Sequence, residues 1–325
     1  MAGCGSSGGG SGGSTASAGA IPTTPEAGTF RMGLEPWLGY GLWRVAEKKG
    51  IFSANGVDTK ITSFNTDDEI NAALASKQLD GANIATHTAM RLAAAGLPIT
   101  IVMLLDQSTT ADAILAPKTM TTVAALKGQK VAYEEGTTSD ILLRYALSKN
   151  GMSIKDITKV PTPAADAGVA ALAGRVAVAV TYEPYLTTAL KRDAKWHLLF
   201  TAGQDPGLIS DVFVVRNDVL KSKPGQVLAL VKSWQAADAA YNADVTGGQH
   251  IIEAAVGSKP GELKTAFAGV RFYSVPQNQT ELAAGGTFHD HTLTDVKNVA
   301  TQAGLIKGTV DPLKLVDPAF VQAAK

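Results

Sequence analysis

Between residues 29 and 216 the chain keeps switching between two hydrophobic periods, and this alternation constrains its fold more than any other feature. Short apolar or alternating runs at 29–34, 57–64, 81–85, 99–105, 111–116, 130–133, 157–160 and 176–181 read as strands. The stretches 41–49, 68–76, 88–95, 121–126, 139–149 and 164–173 between them read as helices. Gly50 stops the first helix as a helix C-terminus prefers, and Asp67 stands where it can cap the second. Strands that alternate with helices through short connections form parallel sheets covered by helices, so an α/β architecture is expected. After Val215 the pattern turns mostly helical, near 217–243, 247–256, 259–268, 278–284, 291–303 and 316–323.

A weak internal echo runs through this rhythm. Ala72-Ala73-Leu74-Ala75 leads by a short turn into the apolar run 79–85, which ends at Thr86-His87-Thr88. Ala170-Ala171-Leu172-Ala173 leads likewise into 176–180, which ends at Thr181-Tyr182-Glu183-Pro184. Each unit is a helix, a tight turn, a buried strand, and a polar cluster at the strand's carboxyl end. Ligands of open α/β sheets bind beyond those ends, so two such units suggest two lobes facing one cleft.

Composition narrows the class of partner. Lys plus Arg and Asp plus Glu are equal at 29 each among 325 residues, so neither nucleic acid nor an anionic membrane surface is favoured. No apolar run approaches the ~18–20 residues of a membrane span. A single cysteine, Cys4, rules out an internal disulfide and a cysteine-built zinc cage. Met1-Ala2-Gly3-Cys4 looks like the tail of a bacterial lipobox, without the usual leader before it, which makes Cys4 a candidate lipidation site. Residues 1–28, rich in Gly, Ser and Thr and then punctuated by Pro22 and Pro25, read as a flexible tether.

Several phrases in a fixed order carry a family resemblance. They are Gly39-Tyr40 with Ala46-Glu47-Lys48-Lys49-Gly50-Ile51-Phe52, and Leu105-Asp106-Gln107-Ser108 with Ala111-Asp112-Ala113-Ile114-Leu115. Further on come Leu126-Lys127-Gly128-Gln129-Lys130-Val131-Ala132, Glu135-Gly136-Thr137-Thr138-Ser139, Tyr182-Glu183-Pro184-Tyr185 and Asp211-Val212-Phe213-Val214-Val215. The chain resembles the substrate-binding proteins of ABC importers in the nitrate, taurine and aliphatic-sulfonate group, which includes binders of thiamine's pyrimidine precursors. The resemblance implies a two-lobed periplasmic-binding-protein fold of the second type, with two hinge crossings. It implies hinge strands at 112–117 and 211–216, one lobe of 29–113 plus 214–325, and a second of 114–213. It further implies a monomeric, extracytoplasmic receptor that hands a small solute to an ABC permease, held at the membrane only through a lipid on Cys4.

The candidate ligand contacts follow from placement. Thr137, Thr138 and Ser139 open a helix after a strand, where free N–H groups and hydroxyls suit an oxyanion, although Asp140 competes for the same helix end. Glu183, flanked by Tyr182 and Tyr185, suits an ammonium group by ion pairing and cation–π attraction. Asp211 is the natural second carboxylate. Trp37 and Tyr40 follow the first strand, where members of the group place ligand contacts. Thr86 and His87 end the third strand, and Gln107 and Ser108 the fourth.

Signs of catalysis are thin. His289-Asp290-His291 could offer two metal ligands but reads as a solvated loop, and neither a metal nor a cofactor is called for. The nucleophile-elbow, zinc-helix and dinucleotide-glycine motifs are all missing. A binder is therefore expected rather than an enzyme, although relatives of this fold that make a thiamine pyrimidine with histidine and iron keep a catalytic alternative open. A zwitterion such as a taurine-, aminosulfonate- or aminophosphonate-like compound fits an anion site facing two carboxylates. An aromatic or heterocyclic amine is the alternative.

Overall fold

The computed structural model describes residues 20–324, so Cys4 and most of the expected tether lie outside the described residues. Eleven strands are present there: β1 (Thr29–Leu34), β2 (Asp58–Ser63), β3 (Gly81–Ala85), β4 (Ile99–Ser108), β5 (Asp112–Pro117), β6 (Lys130–Tyr133), β7 (Thr158–Pro161), β8 (Val178–Tyr182), β9 (Trp196–Thr201), β10 (Ser210–Arg216) and β11 (Val270–Phe272). They form two sheets, one ordered β11-β4-β10-β3-β1-β2 and the other β7-β6-β8-β5-β9.

The sheets are mixed rather than parallel throughout. β1 runs parallel to β2 and β3, and β6 runs parallel to β7 and β8, as helical crossovers require. β10 lies antiparallel between β3 and β4, and β5 antiparallel between β8 and β9. The reason is the path of the chain. It leaves the first sheet at the end of β4, enters the second as β5, and comes back from β9 into β10, so each crossing strand enters against the local direction. Pairing puts Asp112 and Ala113 in the second sheet and Ser210 to Phe213 in the first, a few residues off the lobe limits expected from sequence.

The two crossings run side by side. Ser108 N–H donates to the Ile209 carbonyl at 3.0 Å, and Gly203 N–H donates to the Thr109 carbonyl at 2.5 Å. Thr109 N–H in turn donates to the Gly269 carbonyl at 2.8 Å, tying the crossing to the segment that enters β11.

Helices cover both sheets. The first sheet packs helix Gly41–Lys48 against helix Pro224–Ala243, with the Trp43 and Trp234 rings 4.8 Å apart and both side chains fully buried. Their indole N–H groups are satisfied inside this core, by Asn83 Oδ1 at 2.8 Å and the Tyr273 carbonyl at 2.9 Å. Gly50 takes φ +70°, a conformation that other residues rarely adopt, which is why the first helix stops there.

Three local expectations need correction. Thr66, with extended backbone, caps helix Asp67–Ala75 by accepting the Glu69 N–H, and Asp67 is the first helical residue. The stretch 259–268 holds turns and the start of a short 3₁₀ turn, Ala266–Gly269, that delivers the chain into β11. The last part of the expected tether is docked: Glu26 accepts the Gly225 and Gln226 N–H groups at 3.0 and 2.9 Å, at the start of helix Pro224–Ala243. Among the described residues no helix is long and apolar enough to cross a membrane.

Candidate functional site

A cleft lies where the carboxyl end of β1, helix Asp67–Ala75, β5, β8 and β10 meet. Glu35, Trp37, Tyr40, Asp67, Ala85, Asp112, Thr138, Tyr182 and Asp211 line it. Four of these nine are acids, and every charged side chain in the lining is a carboxylate. Asp112, Thr138 and Tyr182 come from the second sheet and its helix; the remainder come from the first.

Two aromatic residues hold the acids in place. The Tyr40 hydroxyl donates to Asp211 Oδ1 at 3.1 Å, and Trp37 Nε1 donates to Asp106 Oδ1 at 3.1 Å. Asp106 and Asp211 are directly opposed across the antiparallel pair β4–β10, an arrangement in which like charges repel. Gly39 lets the chain pass over this pair, because a Cβ there would fall 2.1 Å from the Asp106 carboxyl. From the opposite wall the Tyr182 hydroxyl donates to Glu35 Oε2 at 3.3 Å, and its ring meets Trp37 edge-on at 5.7 Å.

Burial in a place without a matching cation pushes these acids up. Desolvation is the main cause for Asp67, Asp112 and Asp211, each raised to about 7. For Asp67 the Glu134 charge adds to the rise and Arg91 opposes it; for Asp211 the Asp112 charge adds to the rise. Asp106 and Glu35 are also raised well above the usual carboxylate range, again chiefly by burial, with Asp211 the first charge acting on Asp106 and Asp67 on Glu35.

Of the twelve contacts expected from sequence, Trp37, Tyr40, Thr138, Tyr182 and Asp211 line this cleft. Ser108 and Ser139 are buried and leave their hydroxyl oxygens without a partner. The other five are turned to structural work. Glu183 caps the helix that follows it, accepting from Thr187 N at 3.0 Å and Thr187 Oγ1 at 2.9 Å, so its carboxylate is already satisfied. Thr86 Oγ1 donates to the Ser210 carbonyl, joining β3 to β10. Gln107 Oε1 accepts from the Tyr273 hydroxyl at 2.9 Å instead of facing the cleft.

His87 is buried, with Nε2 3.4 Å from the Gly136 carbonyl of the second lobe; burial first and then Arg91 lower it to about 4. Thr137 caps helix Thr138–Lys149, accepting from Ser139 N–H and donating to the Glu134 carbonyl. Asp140 meanwhile takes the Gly136 N–H at 2.9 Å and pairs with Arg144 at 2.6 Å. The helix start expected to hold an oxyanion therefore has its own anion bound beside it. His289, Asp290 and His291 sit in a short π-helical turn, Phe288–Thr292, apart from the cleft, with His289 Nδ1 2.7 Å from Asp290 Oδ1.

The acids that sequence reading passed over are Glu35, Asp67, Asp106 and Asp112. A signal existed for Glu35, which stands just past the carboxyl end of β1, where the strand-end rule looks for ligands. Asp112 was visible only as the first residue of a hinge. Asp106, one residue past the run 99–105, carried the same strand-end signal as Glu35, whereas Asp67 read as a helix cap.

The NMT1/THI5-like family matches residues 42–244. The chain belongs to this family. A provisionally named binding protein of Brucella abortus (strain 2308) is 24% identical over 205 residues, 62% of this chain and 63% of that protein. The matched stretch thus spans less than two thirds of this curated relative. The crystal structure of the periplasmic aliphatic sulphonate binding protein of Escherichia coli superposes with a TM-score of 0.75 at 17% identity, covering 91% of this chain and 100% of that one. The alkanesulfonate-binding protein of Xanthomonas axonopodis pv. citri bound to MOPS gives 0.70 at 20% identity, covering 90% and 98%. At such identities the likeness speaks for the two-lobed periplasmic-binding-protein fold, in accord with the resemblance read from the sequence.

Proposed function

We propose that the protein is the extracytoplasmic solute receptor of an ABC importer, working as a monomer and closing two lobes on one small polar solute. The observation that carries this reading is the cleft: both lobes and both crossing strands contribute to one lining, so hinge closure changes the surroundings of anything bound there. The Escherichia coli and Xanthomonas neighbours, named as sulfonate binders, support a binding role on this fold. Attachment through a lipid on Cys4, the permease as partner and binding without turnover belong to the same proposal.

For the solute itself, the amine half of the zwitterion expected from sequence has support in this cleft, through Asp211, Tyr40, Trp37 and Tyr182. The sulfonate or phosphonate half is less well served, because Asp140 and Thr137 occupy N–H groups of the helix start. An amine-bearing solute, zwitterionic or heterocyclic, is the reading these contacts support.

The test is a thermal-shift screen of sulfonates, aminosulfonates, aminophosphonates, amino acids, nitrate and aminopyrimidines, followed by small-angle scattering of each hit. A solute that binds only the folded, closed form raises the melting temperature and reduces the radius of gyration. Recovery of the bound compound unchanged is expected for a binder. A hit that is converted would favour the enzyme alternative, and a hit that leaves the radius unchanged would sink the clamp.

A further inference from the structure

Two buried carboxylate oxygens have no hydrogen-bond partner: Glu35 Oε1, on a residue of the cleft lining, and Asp106 Oδ2, on the residue opposite Asp211 and behind the lining, beneath Gly39. Their companion oxygens are engaged, Glu35 Oε2 by the Tyr182 hydroxyl and Asp106 Oδ1 by Trp37 Nε1. Each free oxygen therefore sits on a side chain that its neighbours already orient. A buried acceptor left open costs free energy, more so when it bears charge, and a donor brought in by a ligand removes that cost. The Asp106–Asp211 pair adds a second motive, since a cation between opposed carboxylates turns repulsion into attraction.

The body of the cleft between these two points is aromatic. The Trp37 and Tyr182 rings pack edge to face at 5.7 Å, and Tyr185 follows at 5.5 Å from Tyr182. Aromatic faces attract cations and flat, delocalised groups more than they attract oxyanions. The lining holds no basic side chain: Arg91 approaches Gly136 at the lobe boundary and acts on Asp67 as a neighbouring charge, and Arg44 lies in an adjoining pocket that shares Glu35, Trp37 and Tyr40.

On the strength of the receptor reading above, we infer that the solute is an organic cation with nitrogen donors at two points, one meeting Glu35 and the other Asp211, which Asp106 backs from behind the lining. Diamines, amidines and guanidines have this chemistry. A sulfonate or nitrate would enter a lining whose every charged member is an acid. The charge preference is thus opposite to that of the sulfonate binders that share the fold.

The experiment is isothermal titration of the full chain at pH 7.5 with 1,4-diaminobutane, agmatine and benzamidine, against taurine, methanesulfonate, nitrate and neutral 4-aminopyrimidine. The expected result is saturable binding of at least one cation, at least tenfold tighter than any anion, zwitterion or neutral compound. Asp211→Asn and Glu35→Gln should each weaken that cation at least tenfold while far-ultraviolet circular dichroism and the cooperative melt are preserved. Tighter binding of an anion, of taurine or of the aminopyrimidine overturns the cation class but leaves the receptor reading intact. Absence of saturable binding by all three cations also overturns it. Equal affinity in wild type and both variants removes the assigned contacts. The receptor reading fails separately, if no compound of either set compacts the molecule in scattering.

Discussion

Two sets of buried carboxylates in the first lobe meet opposite fates. Asp80, just before β3, is held by Arg31 Nη2 at 2.6 Å, with Lys223 Nζ at 3.6 Å and Arg216 Nη1 at 3.9 Å. Burial would raise Asp80, but the Arg31 hydrogen bonds and the nearby cations hold it below the usual carboxylate range. At the cleft edge of the same sheet, where β4 ends and β10 begins, Asp106 and Asp211 face each other with no cation between them, and both are raised. The first set is complete and braces the fold. The second lacks the positive charge that would complete it. A shortage of cations at a lobe boundary, next to a finished ion cluster in the same sheet, is the contrast on which the proposed ligand site rests.

The strongest way to break this comparison is Asp80→Ala. It removes the acceptor of Arg31 N–H, Nε and Nη2 and the acid beside Lys223, while Arg216 keeps Asp218 and the Leu79 carbonyl, and should cost about 3 kcal/mol in urea unfolding. A loss near zero would mean that Asp80 is no more satisfied than the cleft acids.

Next comes pH. An acid raised to about 7 stabilises the fold while protonated, so its contribution is full at low pH and is lost as pH rises through its folded value. Ligand-free stability should therefore fall by about 2 kcal/mol between pH 6 and pH 8, with Asp67, Asp112 and Asp211 outweighing His87, which acts in the other direction near pH 6.5. Glu35, Asp68, Asp106, Glu134, Glu183, Tyr40, Tyr182 and Arg91 are the other ionisable groups acting at this boundary. Asp80, lowered instead, keeps its contribution across this range and loses it only in stronger acid. Melting temperatures across the range check the sign. A rise toward pH 8 would contradict it.

Smaller still is the effect of Asp211→Asn on the empty protein. At pH 8 the substitution should add about 1 kcal/mol by removing a buried charge, whereas at pH 5, with the carboxyl protonated, it should add almost nothing. The smallest effect belongs to Glu183→Gln. Loss of the charged cap should cost about 0.5 kcal/mol and leave solute affinity within twofold, because Glu183 is spent on Thr187. A tenfold affinity loss there would return Glu183 to the site.

The fold was legible because it rests on periodicity and punctuation. The strands at 29–34, 81–85 and 130–133 and the stop at Gly50 came out as read. Antiparallel β5 and β10 were not readable, since strand direction depends on where the chain changes lobes, and that is a long-range fact. At the site, aromatic residues after a strand and Asp211 were legible from position alone. Glu183 misled because a carboxylate beside two tyrosines suits a ligand as well as it suits a helix cap four residues on. Asp106 and Asp211 lie 105 positions apart in sequence (211 − 106), and only the β4–β10 register makes them partners.

Glu26 has a mechanical consequence. Its carboxylate clasps the start of helix Pro224–Ala243, and Gln226 Nε2 returns the grip on the Glu26 and Gly28 carbonyls at 2.7 and 2.6 Å. Both partners belong to the first lobe. A pull on the chain at residue 20 would therefore be carried into the first lobe at this clasp. The segments that join the two sheets, 109–111 and 202–209, lie outside that clasp.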